Sequence, residues 1–174
     1  MLVCRRMQTV PKPPHATQVL GTVEKALPVT STGAASLVPL DPAACRALIA
    51  ALDKPSKTEL RGHVYLRLES ITGDHPTVLN VYVGLPENAN PAEHPEHRAG
   101  SIGLYGLRQA SMKQKSEGGK GMGFSLDVTR VFKELRLAEA PAPAAIRVNI
   151  VPYRPMPGQA RITIGKMSFF HVCE

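Results

Sequence analysis

Aromatic residues are scarce in this sequence: there is no tryptophan, and phenylalanine and tyrosine together make up 5% of 174 residues. A folded core must therefore come mainly from valine, isoleucine and leucine, which are among the residues most often buried. No apolar run approaches the roughly 20 residues that a membrane-spanning helix needs. The sequence therefore predicts no association with a membrane.

Cysteine is also scarce, with Cys4, Cys45 and Cys173 far apart in the chain. Three cysteines without C-x-x-C spacing argue against a zinc site or a disulfide framework. This usage fits a reducing compartment, with a Cys4–Cys173 bridge left open as the alternative. The first ten residues lack the apolar segment of a secretory signal, which favours a cytoplasmic location.

Acidic residues are outnumbered: 21 Lys and Arg stand against 14 Asp and Glu, for a formal charge of +7. A basic surface can bind nucleic acid. Here the basic residues are scattered, and the densest group, Lys113, Lys115 and Lys120, has no aromatic neighbours on which bases could stack. No nucleic-acid partner is predicted, and the charge indicates a solvated surface or a face for an acidic partner.

Sixteen prolines and fourteen glycines favour a loop-rich β protein over a helical bundle. From residue 61 onward apolar and polar residues alternate, as at Val64, Leu66 and Leu68, which is the period of a half-buried strand. At least six such strands occur, without the long helices that parallel βαβ units require. The sequence predicts a mainly β fold: an antiparallel β-sandwich of jelly-roll or Greek-key type with one or two short helices.

Three segments are predicted along the chain. Residues 1–18 are Pro-rich and form a disordered arm or linker. Residues 19–58 hold short strands and a helix, capped by Asp41 and begun by Pro42, that lead into the domain. Residues 59–174 form the β-sandwich.

Within the predicted sandwich, residues 108–123 form a Lys- and Gly-rich mobile loop, and Thr129 caps a second short helix running to about Leu137. Positions on the same face of their strands define the predicted core: Leu126, Val128, Val148, Ile150 and Ile164.

Two histidines three residues apart, in Glu93-His94-Pro95-Glu96-His97, form the closest group of metal-binding residue types. Imidazole suits copper and zinc. Pro95 keeps the two rings off one regular helix face, and no third ligand is expected from the neighbouring sequence. His94 and His97 are therefore the candidate metal ligands, with a solvated loop as the alternative. No nucleophile, base and oxyanion hole assemble, so no catalytic residue is predicted.

Five segments resemble, in order, the C-terminal β-domain that follows the copper domain in polyphenol oxidases of the tyrosinase family. They are residues 78–83 (VLNVYV), 99–102 (AGSI), 124–135, 148–152 and 162–165. Their order across about residues 60–170 carries the resemblance. One departure is that the family's Lys and Asp in the first motif are replaced by Val78 and Asn80, so an ion pair there is not expected.

The resemblance implies a non-catalytic domain that shields or stabilises the dicopper site of a copper domain, in cis or in trans. Such a site needs six histidines on helices; here the six histidines fall on loops and strands: His15, His63, His75, His94, His97 and His171. No enzyme activity and no cofactor are predicted for this chain, and copper belongs to the implied partner domain. The alternatives are a stand-alone module that binds a protein or small ligand, and a copper-delivery partner using His94 and His97.

The family's domain can insert a bulky side chain into the copper entrance, and Tyr65, Tyr82 and Tyr105 are the candidates here. A shielding domain must also bury a surface against its oxidase, which predicts a contiguous exposed apolar patch. We expect that patch on a sheet face. The alternative binding module would instead make contact through the polar loops 86–98 and 108–123, at a larger entropy cost.

Overall fold

Nine β-strands and three short α-helices make up the part of the chain that the computed structural model describes, residues 17–52, 62–112, 121–135 and 143–172. Two 3₁₀ turns, Pro91–Glu93 and Pro95–His97, follow the strand Val78–Val83. The bounds of the other elements are β1 Thr17–Val23, β2 Leu27–Val29, β3 Ala34–Pro39, α1 Pro42–Leu52, β4 His63–Gly73, β5 Val78–Val83, β6 Arg98–Gly103, α2 Leu107–Met112, β7 Met122–Asp127, α3 Thr129–Glu134, β8 Ala145–Pro152 and β9 Ile162–Val172.

The strands form two antiparallel sheets. The first has the order β1-β9-β4-β7, with β2 also paired to β9, and the second has the order β3-β8-β5-β6. Buried side chains from both sheets form a single hydrophobic cluster. The predicted mainly β, antiparallel fold is confirmed, and two sheets with one shared core are consistent with a β-sandwich.

Strands from the segment 19–58 belong to both sheets. β1 and β2 pair with β9, and β3 pairs with β8. Most of the predicted arm, residues 1–16, lies outside the described residues, as do Cys4 and Cys173. Cys45 is buried with a free thiol on α1, and burial raises its pKa.

The predicted core is confirmed at four of its five positions, since Val128, Val148, Ile150 and Ile164 are all fully buried. Leu126 is only partly buried, although it packs against the core. The reason is its strand: β7 is the last strand of its sheet, and its inward side chains alternate with exposed ones without being fully covered. An edge strand has a neighbour on one side only.

Both predicted helices are present, and their caps differ. Asp41 caps α1 as predicted: its Oδ1 accepts a hydrogen bond from the Ala43 amide at 2.8 Å. For α3, the predicted cap Thr129 is instead the first helical residue. Asp127 Oδ1 accepts from the Thr129 amide at 2.9 Å, while the Thr129 hydroxyl accepts from the Val64 amide at 2.8 Å.

A third helix, α2, was not predicted, because residues 108–123 were assigned to one mobile loop. The sequence of α2, Leu-Arg-Gln-Ala-Ser-Met, consists largely of good helix formers, and Leu107, just before that segment, is fully buried. The Lys- and Gly-rich part, residues 113–120, lies outside the described residues. No helix in the described ranges is long and apolar enough to span a membrane.

Antiparallel pairing assigns each loop to one of two ends. Val78 pairs with Gly103 and Leu79 with Pro152, so the connections that follow β4, β6 and β8 meet at one end. Tyr82 pairs with Arg98 at the other end, where residues 84–97 connect β5 to β6 and contact α3. We call these the tyrosine end, after Tyr105 and Tyr153, and the histidine end, after His94 and His97.

Candidate functional site

Three side chains at the histidine end, His94, Glu96 and His97, place one potential metal-ligand atom each within 4.8 Å of one another. Glu96 Oε1 lies 3.1 Å from His94 Nδ1 and 3.7 Å from His97 Nε2. The two imidazole rings meet edge to face, with centroids 5.7 Å apart. The structure thus brings the two predicted ligands together. It also places the Glu96 carboxylate beside them, a third side chain of a metal-binding type, although none was expected nearby in the sequence.

Two consecutive 3₁₀ turns build this cluster. Pro91 and Pro95 each stand in the first turn, where the N–H that proline lacks would have no partner inside the helix. Asn90 Oδ1 accepts from the Ala92 amide at 3.2 Å, and the His97 amide donates to the His94 carbonyl at 3.1 Å. Pro95 therefore does not separate the histidines. It starts the turn that returns His97 to the side of His94.

Hydrogen bonds favour the ionised form of Glu96. The Glu96 carboxylate accepts a hydrogen bond from its own backbone amide and a second one from the His94 ring. These two bonds, the first with the larger effect, hold the pKa of this exposed carboxyl below its usual range. His97 is the most enclosed member, with a side chain 12% exposed, compared with 34% for His94 and 45% for Glu96. The cluster therefore presents a carboxylate to solvent between two imidazoles.

The described residues do not bring together the six histidines that a dicopper centre needs. Within the described ranges, His94, Glu96 and His97 are the only group of three or more potential ligand side chains. Elsewhere His63 Nδ1 pairs with Asp127 Oδ2 at 3.1 Å, and His171 is buried within β9. Two coppers with three histidines each cannot be assembled from these positions.

The tyrosine end carries an open groove of about 480 Å³. Tyr105 and Tyr153 line it and are 74% and 65% exposed. Their backbones are held in place, since the Tyr153 amide donates to the Val78 carbonyl and the preceding Leu104 amide donates to the Thr77 carbonyl, both at 2.8 Å. Two large aromatic side chains are thus displayed on an anchored backbone.

The exposed apolar surface continues beyond this groove. A second groove of about 470 Å³ shares His75 and Pro157 with the first and is also lined by Met112, which is 71% exposed. We define the tyrosine patch as the exposed apolar residues around the two grooves: Tyr105, Met112, Tyr153, Pro155 and Pro157.

Among the described residues, this patch lies at the loop end of the strands and not on a sheet face, where it was expected. Only two large exposed hydrophobic residues lie on strands, Val19 on β1 and Leu37 on β3. These strands belong to different sheets. The inward face of each sheet is buried in the core that the two sheets share, whereas the residues that connect the strands project at the two ends.

Of the three tyrosines predicted from the sequence, only Tyr105 is well exposed. Tyr82 is 9% exposed, and Tyr65 is half-buried beside His63, with ring centroids 6.1 Å apart. Tyr153, which directly follows Pro152 at the end of β8, is not among these three candidates. The sequence does indicate that Tyr153 is exposed. It stands between the Val-Pro end of a strand and the Pro-rich stretch Arg-Pro-Met-Pro, a composition that is typical of an exposed turn.

By its fold, the chain is a mainly β domain built on two antiparallel sheets. It belongs to the family described as Domain of unknown function (DUF7868), which matches residues 16–172. It is 27% identical over 104 residues to Tyrosinase HcTyr1 of Hahella sp. (strain CCB-MM4). That match covers 59% of this chain and 22% of the relative.

The fold is also similar to a solved structure, recombinantly expressed latent aurone synthase (polyphenol oxidase). The TM-score is 0.51 at 13% identity, over 83% of this chain and 25% of that one. Latent apple tyrosinase (MdPPO1) gives a TM-score of 0.42 at 14% identity, over 90% and 27%. The chain thus spans about a fifth to a quarter of the length of these relatives. The predicted resemblance to a tyrosinase-family C-terminal domain is confirmed.

Proposed function

We propose that this chain is the companion β-domain of a tyrosinase-type copper oxidase and covers the dicopper entrance of a copper domain, in cis or in trans. The observation that carries the proposal is the sequence match to a protein named a tyrosinase, of which this chain spans 22%. The remaining length of that relative leaves ample room for a copper domain. The similar fold of a latent polyphenol oxidase, of which this chain spans 25%, supports the same assignment.

The tyrosine patch is the surface best suited to cover such an entrance. Tyrosine is enriched among the residues that dominate binding energy, since it buries a large apolar ring and still satisfies its hydroxyl. Tyr105 and Tyr153 project from the same groove, so one ring can enter a pocket while the other packs at its rim.

Proline lowers the entropy cost of using this patch. Pro155 and Pro157 restrict the loop that carries Tyr153, and Pro76 restricts the neighbouring loop that lines the same groove. A surface that is already ordered loses less conformational entropy on binding than a Gly- and Lys-rich loop does. This favours the tyrosine end over the Gly- and Lys-rich segment 108–123 as the contact.

Covering the entrance would control the oxidase without any chemistry in this chain. A side chain in the pocket excludes substrate by its volume, and the domain behind it excludes water from the copper site. The copper domain supplies the metal and the oxidation. The β-domain's own residues only bind, fill the pocket and change its solvent exposure.

The test measures complex formation between this chain and a tyrosinase copper domain that lacks its own C-terminal domain. Tyr105→Ala and Tyr153→Ala should each weaken the complex by on the order of tenfold or more, because truncating a central anchor typically costs 2 kcal/mol or more. Leu37→Ala is the matched control, since Leu37 is a comparably exposed apolar residue on β3, at 53%. Loss of the complex with Leu37→Ala alone would assign the contact to the sheet face instead.

A further inference from the structure

We propose that His94, Glu96 and His97 form a binding site for one divalent first-row transition ion, with Cu²⁺ and Zn²⁺ as its preferred occupants. The proposal rests on the cluster's own geometry and not on the proposed function. The site lies at the histidine end, opposite the tyrosine patch.

The donor atoms are close to the spacing that a metal ion requires. Zinc binds imidazole nitrogen and carboxylate oxygen at about 2.0–2.2 Å, so two ligands of a tetrahedral ion lie about 3.4 Å apart. The Glu96 carboxylate oxygen is 3.1 Å from His94 Nδ1 and 3.7 Å from His97 Nε2, which brackets that spacing. All three ligand atoms lie within 4.8 Å of one another, so small side-chain rotations suffice to close the site.

A backbone carbonyl directs the correct nitrogen of His97 towards the site. His97 Nδ1 lies 2.9 Å from the Val83 carbonyl oxygen, which can only accept a hydrogen bond. In a neutral ring Nδ1 therefore carries the proton, and the lone pair is on Nε2, the atom that faces Glu96. Metal-binding histidines almost always donate their second N–H in this way, which fixes the tautomer and orients the ring.

The loop that carries the ligands is ordered by its own hydrogen bonds. Asn90 caps the first 3₁₀ turn, and its Nδ2 also donates to Glu93 Oε1 at 3.3 Å. The two turns follow each other directly and are each begun by proline. All three ligands come from four consecutive residues, 94–97. Because the turns already order this segment, the chain loses little further conformational entropy when an ion binds.

The chemistry of the donors selects the type of ion. Two imidazole nitrogens and one carboxylate oxygen suit copper and zinc, whereas magnesium and calcium prefer sites built from oxygen alone. Of the divalent ions in this series, Cu²⁺ binds most tightly to a given nitrogen and oxygen site. Three protein ligands also leave a fourth position of a tetrahedral ion for water or for a donor from another molecule.

The experiment titrates the full chain with Zn²⁺ and, separately, with Cu²⁺, using calorimetry and NMR of the imidazole nitrogens. We expect one ion per chain, with signal changes at His94 and at His97 Nε2 and with the His97 Nδ1 proton retained. Mg²⁺ should produce neither heat nor shifts. Electron paramagnetic resonance of the Cu²⁺ complex should show two nitrogen ligands.

Two variants and one matched control assign the site. Glu96→Gln keeps the shape of the side chain but removes its charge, and His94→Ala removes a ligand that is already partly exposed. Each should lower Zn²⁺ affinity by on the order of tenfold or more, and His94→Ala should reduce the Cu²⁺ nitrogen count to one. His63→Ala is the control, since His63 also lies 3.1 Å from a carboxylate, that of Asp127, but no third ligand side chain joins them among the described residues. It should bind Zn²⁺ as the wild type does.

Several outcomes would overturn the proposal. Zn²⁺ affinity that is the same in Glu96→Gln, His94→Ala and wild type would show adventitious binding elsewhere. Shifts at His63 as large as those at His97 would show general association of histidines with metal. Unchanged far-UV circular dichroism and unfolding midpoints of the metal-free variants ensure that any loss of binding comes from the ligands and not from misfolding.

Discussion

Ser70 on β4 and Gly165 on β9 face each other where both strands exchange their inward and outward faces. Ser70 has a φ of 54°, and a Cβ on Gly165 would lie 2.7 Å from the Ser70 Cβ. The pairs Leu68–Met167 and Ile71–Ile164, on either side of this point, stay in register. Both strands therefore change face together, and the sheet keeps a buried apolar side along its whole length.

Replacing Gly165 with alanine should destabilise the fold by about 1–3 kcal/mol, the usual cost of forcing extra atoms into a packed interior. The clash is with a Cβ on a neighbouring strand and not with the end of a flexible side chain. Gly158→Ala is the control, because a Cβ there would meet no atom within 4 Å. Urea unfolding measures both variants, and equal stability of the two would contradict this account of the pair.

Ser70→Gly should partly rescue Gly165→Ala. It removes the Cβ that the alanine would meet, and glycine adopts positive φ without the cost that serine bears. The double variant should therefore lose less unfolding free energy than the sum of the losses measured for the two single variants. Strict additivity would mean that Gly165 is required for some reason other than Ser70. The Ser70 carbonyl oxygen, 3.3 Å from the same Cβ position, keeps the rescue incomplete.

Burial predicts a clear difference between two core side chains. Ile150→Ala should cost about 2–5 kcal/mol in the free energy of unfolding, because Ile150 is fully enclosed on β8. Leu126→Ala should cost less, since Leu126 is only partly buried on the edge strand β7. Chemical denaturation of both variants checks the order. A larger loss of unfolding free energy for Leu126→Ala than for Ile150→Ala would contradict the partial burial of β7.

His171 should make the fold less stable in mildly acidic solution. The side chain is 2% exposed, and burial lowers its pKa below the ordinary value of 6.5. The unfolded chain therefore binds the proton first, and stability falls as the pH drops through about 6.5 towards the folded-state pKa. His171→Gln should flatten this dependence between about pH 7.5 and about pH 5.5. An equally steep loss in the variant would assign the effect to another group.

Alternation of apolar residues predicted most strands, because a half-covered sheet imposes a period of two on each of them. It also placed Val148 and Ile150 correctly, since β8 lies inside its sheet. The same pattern could not reveal that β7 is an edge strand, which left Leu126 half-buried. Strand order depends on long-range pairing that no local window contains.

The candidate sites were less predictable for the same reason. His94 and His97 were identifiable by their spacing, but the role of Glu96 depends on the turn that Pro95 starts. Proline was interpreted as an interruption, whereas it begins the 3₁₀ turn that brings the rings together. Tyr105 and Tyr153 are 48 positions apart in sequence, and only the pairing of β5 with both β6 and β8 brings them to one end.

The most direct test of the companion-domain proposal is the rate of catechol oxidation by a tyrosinase copper domain without its own C-terminal domain, measured as this chain is added. The proposal predicts that the rate falls in a saturable way at micromolar concentrations. It also predicts that a chain carrying both Tyr105→Ala and Tyr153→Ala leaves the rate near its starting value, while Leu37→Ala inhibits as the wild type does. An unchanged rate at full excess of wild-type chain, with no complex detected, would contradict the proposal.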